Sequence, residues 1–204
     1  MNRDNMNHFL ETYYQLLSID YSNKANLKDL AKTLKAKCDL MKKFEAGFLL
    51  RTLGLNLLIA YRPIVCSITE NIKTFTVPSD LQYYKWDKEL FQLGLELLEL
   101  SKKYLEGADF YLALYFSSLG NYCLYLLNGQ KDTTLIRSAV EEMSRAIEFL
   151  DKEEYKWIFE QLFNQYIIVL SKALNNQKIK DMVEQRLSEI CKKHTECYDL
   201  LNSR

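Results

Sequence analysis

The chain has 204 residues, with 27 basic and 27 acidic side chains, a formal net charge of zero, and only 6 Gly and 2 Pro. That length suits one sizeable helical domain, residues 1–204, and the scarcity of Gly and Pro argues against a strand-and-turn architecture. Balanced charge gives no general case for nucleic acid as a partner, and Lys, Arg, Glu or Asp interrupts every apolar run short of a membrane span.

The elements follow in chain order. Asn7 to Ser18 reads as a short first helix with Phe9, Leu10, Tyr13, Leu16 and Leu17 on its apolar face. Asp20-Tyr21-Ser22-Asn23 breaks it, and Asn26 with Asp29 three residues on predicts a capped second helix. Leu27, Leu30 and Leu34 form that helix's apolar stripe, while Lys28, Lys32 and Lys35 lie on another face. Seven Lys against two Asp between Ser22 and Lys43 make this stretch locally basic. The Lys stripe is read as a solvated face, with steering of an acidic partner as the alternative.

A long third helix is predicted from Lys43 to about Phe75, kinked near Ile59 to Arg62 because Pro63 lacks a donor and crowds the preceding turn. The loop from Pro78 to Tyr84 is the expected mobile segment. Asp87 to Tyr104 follows as an amphipathic helix, with Leu90, Leu93, Leu97, Leu100 and Tyr104 at heptad spacing. Ala108 to Leu150 reads as a helical hairpin and is the stretch the other helices cover. Its first arm carries Phe110, Leu114, Leu119, Tyr122 and Leu126 and is apolar almost all round, so it is expected to lie between neighbours. Gly129 suits the end of that arm, and Asp132 or Thr133 suits the next N-cap. The second arm repeats Ile136, Val140, Met143, Ile147 and Leu150. Further helices are expected over Asp151 to Leu174 and Ile179 to His194, with Thr195 to Arg204 as a fragment of a ninth.

Catalytic chemistry is not assembled by these residue types, and no enzyme activity and no cofactor are expected. The two His residues form no Ser-His-Asp or Cys-His pattern. Cys191-x-x-His194-x-x-Cys197 has ligand types but lacks a fourth ligand, so a helix end with incidental thiols is the expected reading. Glu141-Glu142 and Glu153-Glu154 are adjacent acids that point apart on a helix and read as solvated surface. No Gly-rich phosphate loop occurs. The 5 Cys lie mostly within helical patterns, and no apolar signal-peptide core follows Met1 to Asn5, so a reduced, cytoplasmic setting is expected.

Three ordered segments carry a resemblance. Phe110-Tyr111-Leu112, Gly120-Asn121-Tyr122-Cys123-Leu124-Tyr125-Leu126 and Ala139 through Ala146-Ile147-Glu148 resemble the paired helices of the 14-3-3 family. Asn56-Leu57-Leu58-Ile59-Ala60-Tyr61-Arg62 is similar to that family's third-helix motif with one residue deleted, and Leu97 to Leu105 is similar to its Leu-Glu-Leu-Leu-Asp-Lys-Tyr-Leu. The resemblance implies one all-α domain of about eight to nine antiparallel helices around a concave groove. A tetratricopeptide-like solenoid is the alternative, although no 34-residue self-similarity is visible.

By the same resemblance the chain is expected to be a non-enzymatic adaptor. Its groove would hold an extended peptide, phosphorylated on Ser or Thr in the family's manner. A helical scaffold without phosphate recognition is the alternative. The family's phosphate ligands map onto Arg62, which keeps a cation, onto Thr69, which loses one, and onto Leu124-Tyr125, which keeps only the phenol. Lys73 lies one turn beyond Thr69. Asn164 matches the peptide-fixing Asn, with Phe163 and Ile167 as apolar wall. The ninth helix is absent or reduced to Tyr198-Asp199-Leu200-Leu201. A homodimer is implied, in which Phe9, Tyr13, Leu16 and Leu17 pack on the third and fourth helices of a second copy. Folding of the first helix onto its own chain is the alternative.

Overall fold

A computed structural model describes residues 3–61, 86–129 and 131–150, together with positions 181, 185 and 188. Its described elements are all helical: α1 (Arg3–Leu17), α2 (Lys24–Lys37), a short 3-10 turn (Cys38–Leu40), α3 (Lys43–Ala60), α4 (Lys88–Ser101), α5 (Gly107–Leu127) and α6 (Thr133–Leu150). The helices expected over 151–174 and 179–194, the Pro78 loop and the Cys191-His194-Cys197 pattern lie outside the described residues. Asp181, Gln185 and Ser188 are helical and exposed.

Local chemistry explains most of the boundaries. Asp20 Oδ1 accepts from the Ser22 amide at 2.8 Å and from its hydroxyl at 2.6 Å, which makes the turn after α1. Asn23, not Asn26, caps α2: its side chain accepts from the Asn26 amide at 3.1 Å. The sequence offers two Asn three residues apart, and the turn at Asp20 starts the helix from the earlier one. Asp87 accepts from the amides of Glu89 and Leu90 at 3.1 and 3.2 Å and so opens α4. Gly129 takes φ +65° after α5, a conformation costly for any residue with a Cβ. Asp132 then caps α6 by accepting from the Thr134 amide at 3.0 Å.

The third helix breaks within its expected kink, its expected continuation to Phe75 lying outside the described residues, and the expected end of the fourth moves inward. The described α3 closes at Ala60, with Tyr61 at φ −112° and ψ 25°. Pro63 disfavours the helical region for the residue before it, which makes this a natural stopping place. α4 closes at Ser101, and the amides of Tyr104 and Leu105 both reach back to the Ser101 carbonyl at 2.9 and 3.1 Å. Tyr104 therefore leaves the heptad and caps a corner instead. Its hydroxyl donates to Asp39 Oδ1 at 2.7 Å and lies 3.1 Å from Cys38 Sγ, and both partners hold its proton on by raising its pKa.

The core lies around α3. Leu49, Leu50, Leu53 and Leu57 are fully buried there, each stabilising the fold by about 1.5–3 kcal/mol through area removed from water. α3 and α4 run antiparallel and meet at two glycines. A Cβ on Gly54 would stand 2.8 Å from the Gly94 carbonyl oxygen, and a Cβ on Gly94 would stand 2.8 Å from that of Gly54. The two backbones thus touch where any side chain would hold them apart. α5 packs antiparallel to α4, with Gly120 against Leu95, and α6 folds back along α5. α5 carries Leu114, Phe116, Leu119, Tyr122 and Cys123 into the interior, as expected of an arm set between neighbours.

Candidate functional site

The described site residues lie on α5, and the residues that lead to Arg62 lie at the end of α3. Tyr61, directly before Arg62, is buried; its hydroxyl donates to the Tyr21 carbonyl. Asn56 Nδ2 donates to the Tyr21 hydroxyl at 2.7 Å, and Lys24 Nζ stands 5.9 Å from the Tyr61 ring centroid. The end of α3 is thereby tied to the α1–α2 turn. On α5, Leu124 is 5% exposed and Tyr125 is 1% exposed, and burial raises the Tyr125 phenol pKa. Both side chains are packed. Arg62, Thr69, Lys73, Phe163, Asn164 and Ile167 lie outside the described residues, so of the expected set only Leu124 and Tyr125 are placed.

A charged cluster joins α4, α5 and α6. Lys102 Nζ, just past the end of α4, stands 2.5 Å from Glu99 Oε1 and 2.5 Å from Glu142 Oε1. The Lys102 and Glu142 side chains are each only 13% exposed. From α5, the Ser117 hydroxyl donates to Glu99 Oε1 at 2.5 Å, and Asn121 Nδ2 donates to Glu142 Oε2 at 3.3 Å. Burial pushes the Glu99 carboxyl up, but the Lys102 ammonium and the Ser117 hydroxyl together pull it below the usual range. Glu142 is more deeply placed; burial and the neighbouring Glu99 charge raise it above the usual range despite Lys102.

The expectation that Glu141-Glu142 is solvated surface holds for Glu141, which is exposed, and fails for Glu142. The signal was present in the helical period. Glu142 sits three residues after Ala139 and four before Ala146, both buried. It therefore borders the buried face of α6.

The basic stripe of α2 faces α4. Lys24 pairs with Asp87, Lys28 with Glu89 at 2.7 Å and Lys35 with Glu96 at 2.7 Å, so the two helices run in the same direction. Burial pushes the Asp87 carboxyl up, yet Lys24 and two backbone amides leave it below its ordinary value. Between the Lys28–Glu89 and Lys35–Glu96 rungs lies an open groove of about 350 Å3, lined by Lys32, Gln92 and Leu93 as well as by those two pairs. The stripe is thus a solvated face, as expected, but most of its charge is matched within the chain rather than left free for an acidic partner.

The first helix lies against its own chain. Phe9 and Tyr13 pack on the core and Leu16 is buried in it, with Tyr13 stacked on Phe9 and tilted against Phe48. Another face stays open: Leu10, Tyr14 and Leu17 are 39%, 64% and 65% exposed, and Phe44 at the start of α3 is 58% exposed. Among the described residues no group of His, Cys, Asp and Glu is arranged to hold a metal ion, and no helix is long and apolar enough to cross a membrane. No family model, no curated protein and no solved structure matches the chain.

Proposed function

We propose that the chain is a non-enzymatic, 14-3-3-like cytoplasmic adaptor whose helical array takes an extended peptide, with a phosphate site reduced to one strong cation, Arg62. The supporting observation is the order of the resembling segments. They fall on α3, α4, α5 and α6, consecutive helices that pack antiparallel in turn. A phosphate dianion favours several fixed donors acting together. With Thr69 and Leu124 in place of two of them, two charge-assisted hydrogen bonds of roughly 1.5–3 kcal/mol each are lost. The affinity deficit is then on the order of 3–6 kcal/mol, about two to four powers of ten.

The second reading, a helical scaffold that ignores phosphate, draws on the burial of Leu124 and Tyr125. A packed phenol serves the core first. Homodimerisation belongs to either reading, and the open stripe Leu10, Tyr14 and Leu17 supports it more directly than Phe9, Tyr13 and Leu16, which face the chain's own core. Fluorescence anisotropy with phosphorylated and unphosphorylated forms of one peptide library separates the two functions. Tighter binding of the phosphorylated set supports the adaptor, whereas equal affinity leaves the scaffold.

A further inference from the structure

We propose that Lys102, Glu99 and Glu142 form a proton-operated clasp that fastens the α5–α6 hairpin to α4 more tightly when the cluster takes up one proton. One ammonium lies 2.5 Å from an oxygen of each of two carboxylates. With every group ionised the cluster carries one negative charge in excess. No second cation from the described helices answers it. α5 offers only the neutral Ser117 and Asn121. On α6 itself, Glu141 and Arg145 are exposed, and the Arg145 guanidinium lies over the Phe110 ring at 5.7 Å. The missing charge is supplied by a proton. Oε1 of Glu99 and Oε1 of Glu142 converge on the same two donors, the Lys102 ammonium at 2.5 Å from each and the Ser117 hydroxyl at 2.5 and 3.3 Å, and two carboxylates brought together in this way favour sharing a proton.

The proton adds to Glu142, the more deeply placed acid, and its new O–H donates to Glu99. Glu99 stays ionised against Lys102, and the cluster becomes neutral. Glu142 titrates above its unfolded value, so its contribution to stability is present at lower pH and disappears as pH rises through the raised value. Glu99 titrates below its unfolded value, so its contribution is present at higher pH and disappears as pH falls through the depressed value. Both contributions coexist in a mildly acidic window. Above that window the clasp holds an unbalanced buried charge at a place where α4, α5 and α6 share polar contacts. Leu124 lies two turns beyond Ser117 on the same side of α5, so loosening the clasp loosens the seat of that segment.

The test is hydrogen exchange of α6 backbone amides in the full chain, corrected for intrinsic exchange, at about pH 4.5, close to the ordinary glutamate value, and at about pH 7.5, well above it. Wild type is expected to be more protected at the lower pH, by about tenfold for each pH unit over which the folded and unfolded Glu142 differ in proton uptake. Glu142→Gln, which keeps a neutral side chain of the same shape, is expected to show the high protection at both values. Equal protection of wild type at the two values, or a pH dependence that survives in Glu142→Gln, overturns the clasp. Carbon NMR titration of the Glu142 carboxyl in the unmutated chain reads the same claim without a variant. Titration above the ordinary glutamate range agrees with it, and titration at or below that range overturns it.

Discussion

The α3–α4 seam and the α4–α5–α6 junction join neighbouring helices by opposite means. At the seam, Gly54 and Gly94 remove side chains altogether, and backbone rests on backbone among fully buried leucines. At the junction, a lysine and two glutamates are carried into the same protein and held by Ser117 and Asn121. Close packing is indifferent to pH and salt. A cluster with one cation for two carboxylates is not, because its energy depends on how many protons it holds. One chain thus contains a fixed contact and a conditional one, with α4 belonging to both.

Removing the cation should have the largest effect. Lys102→Met leaves Glu142 without its ammonium in a site only 13% exposed. Loss of one partner of a buried pair costs about 3–5 kcal/mol, and the half-exposed Glu99 reduces this toward about 3. Urea denaturation should show that loss near neutral pH and a smaller one in acid, where Glu142 is protonated. Gly54→Ala comes next. A helical Gly→Ala change ordinarily stabilises by about 1 kcal/mol, but here the new methyl group meets a carbonyl oxygen at 2.8 Å. Overpacking should reverse the sign to a loss of about 1–3 kcal/mol, with the same value at every pH.

Smaller effects sharpen the contrast at the chain's edges. Asn23→Ala should cost about 1 kcal/mol by thermal denaturation, and Asn26→Ala should cost close to nothing, because only Asn23 accepts a capping bond. The α2–α4 ladder is the surface counterpart of the buried clasp. Lys28→Ala and Lys35→Ala should each change stability by about 0.5 kcal/mol or less, and salt should erase the difference, since both pairs are well exposed.

The helical class and the apolar stripes were legible because they are local and periodic. Leu27, Leu30 and Leu34 repeat on one face of α2, and Ile136, Val140 and Met143 on one face of α6, and all but Leu30 are almost wholly buried. Helix ends were less legible where two candidates competed, as at Asn23 and Asn26, or where a tertiary partner decided the matter, as when Cys38 and Asp39 draw Tyr104 out of the heptad. The cluster was hidden for another reason. Lys102, Ser117 and Glu142 are far apart in the chain, and nothing in a single helix tells a glutamate that another helix will deliver a lysine. The Lys28 and Lys35 stripe was visible as a charge pattern, but its acids lie on α4, so its role depended on packing. Of the expected site residues, Leu124 and Tyr125 were picked out by motif, while their burial depends on the tertiary packing of α5.

The central functional claim is that one cation, Arg62, carries whatever preference the groove has for phosphate. The direct measurement is the ratio of affinities for phosphorylated and unphosphorylated forms of one peptide, in the wild-type chain and in Arg62→Ala, with circular dichroism confirming that both are folded. A ratio above one in wild type should fall to one in the variant, through loss of the phosphorylated arm alone. A ratio that is unchanged by the substitution, or already one in wild type, contradicts the account and leaves a helical scaffold that does not read phosphate.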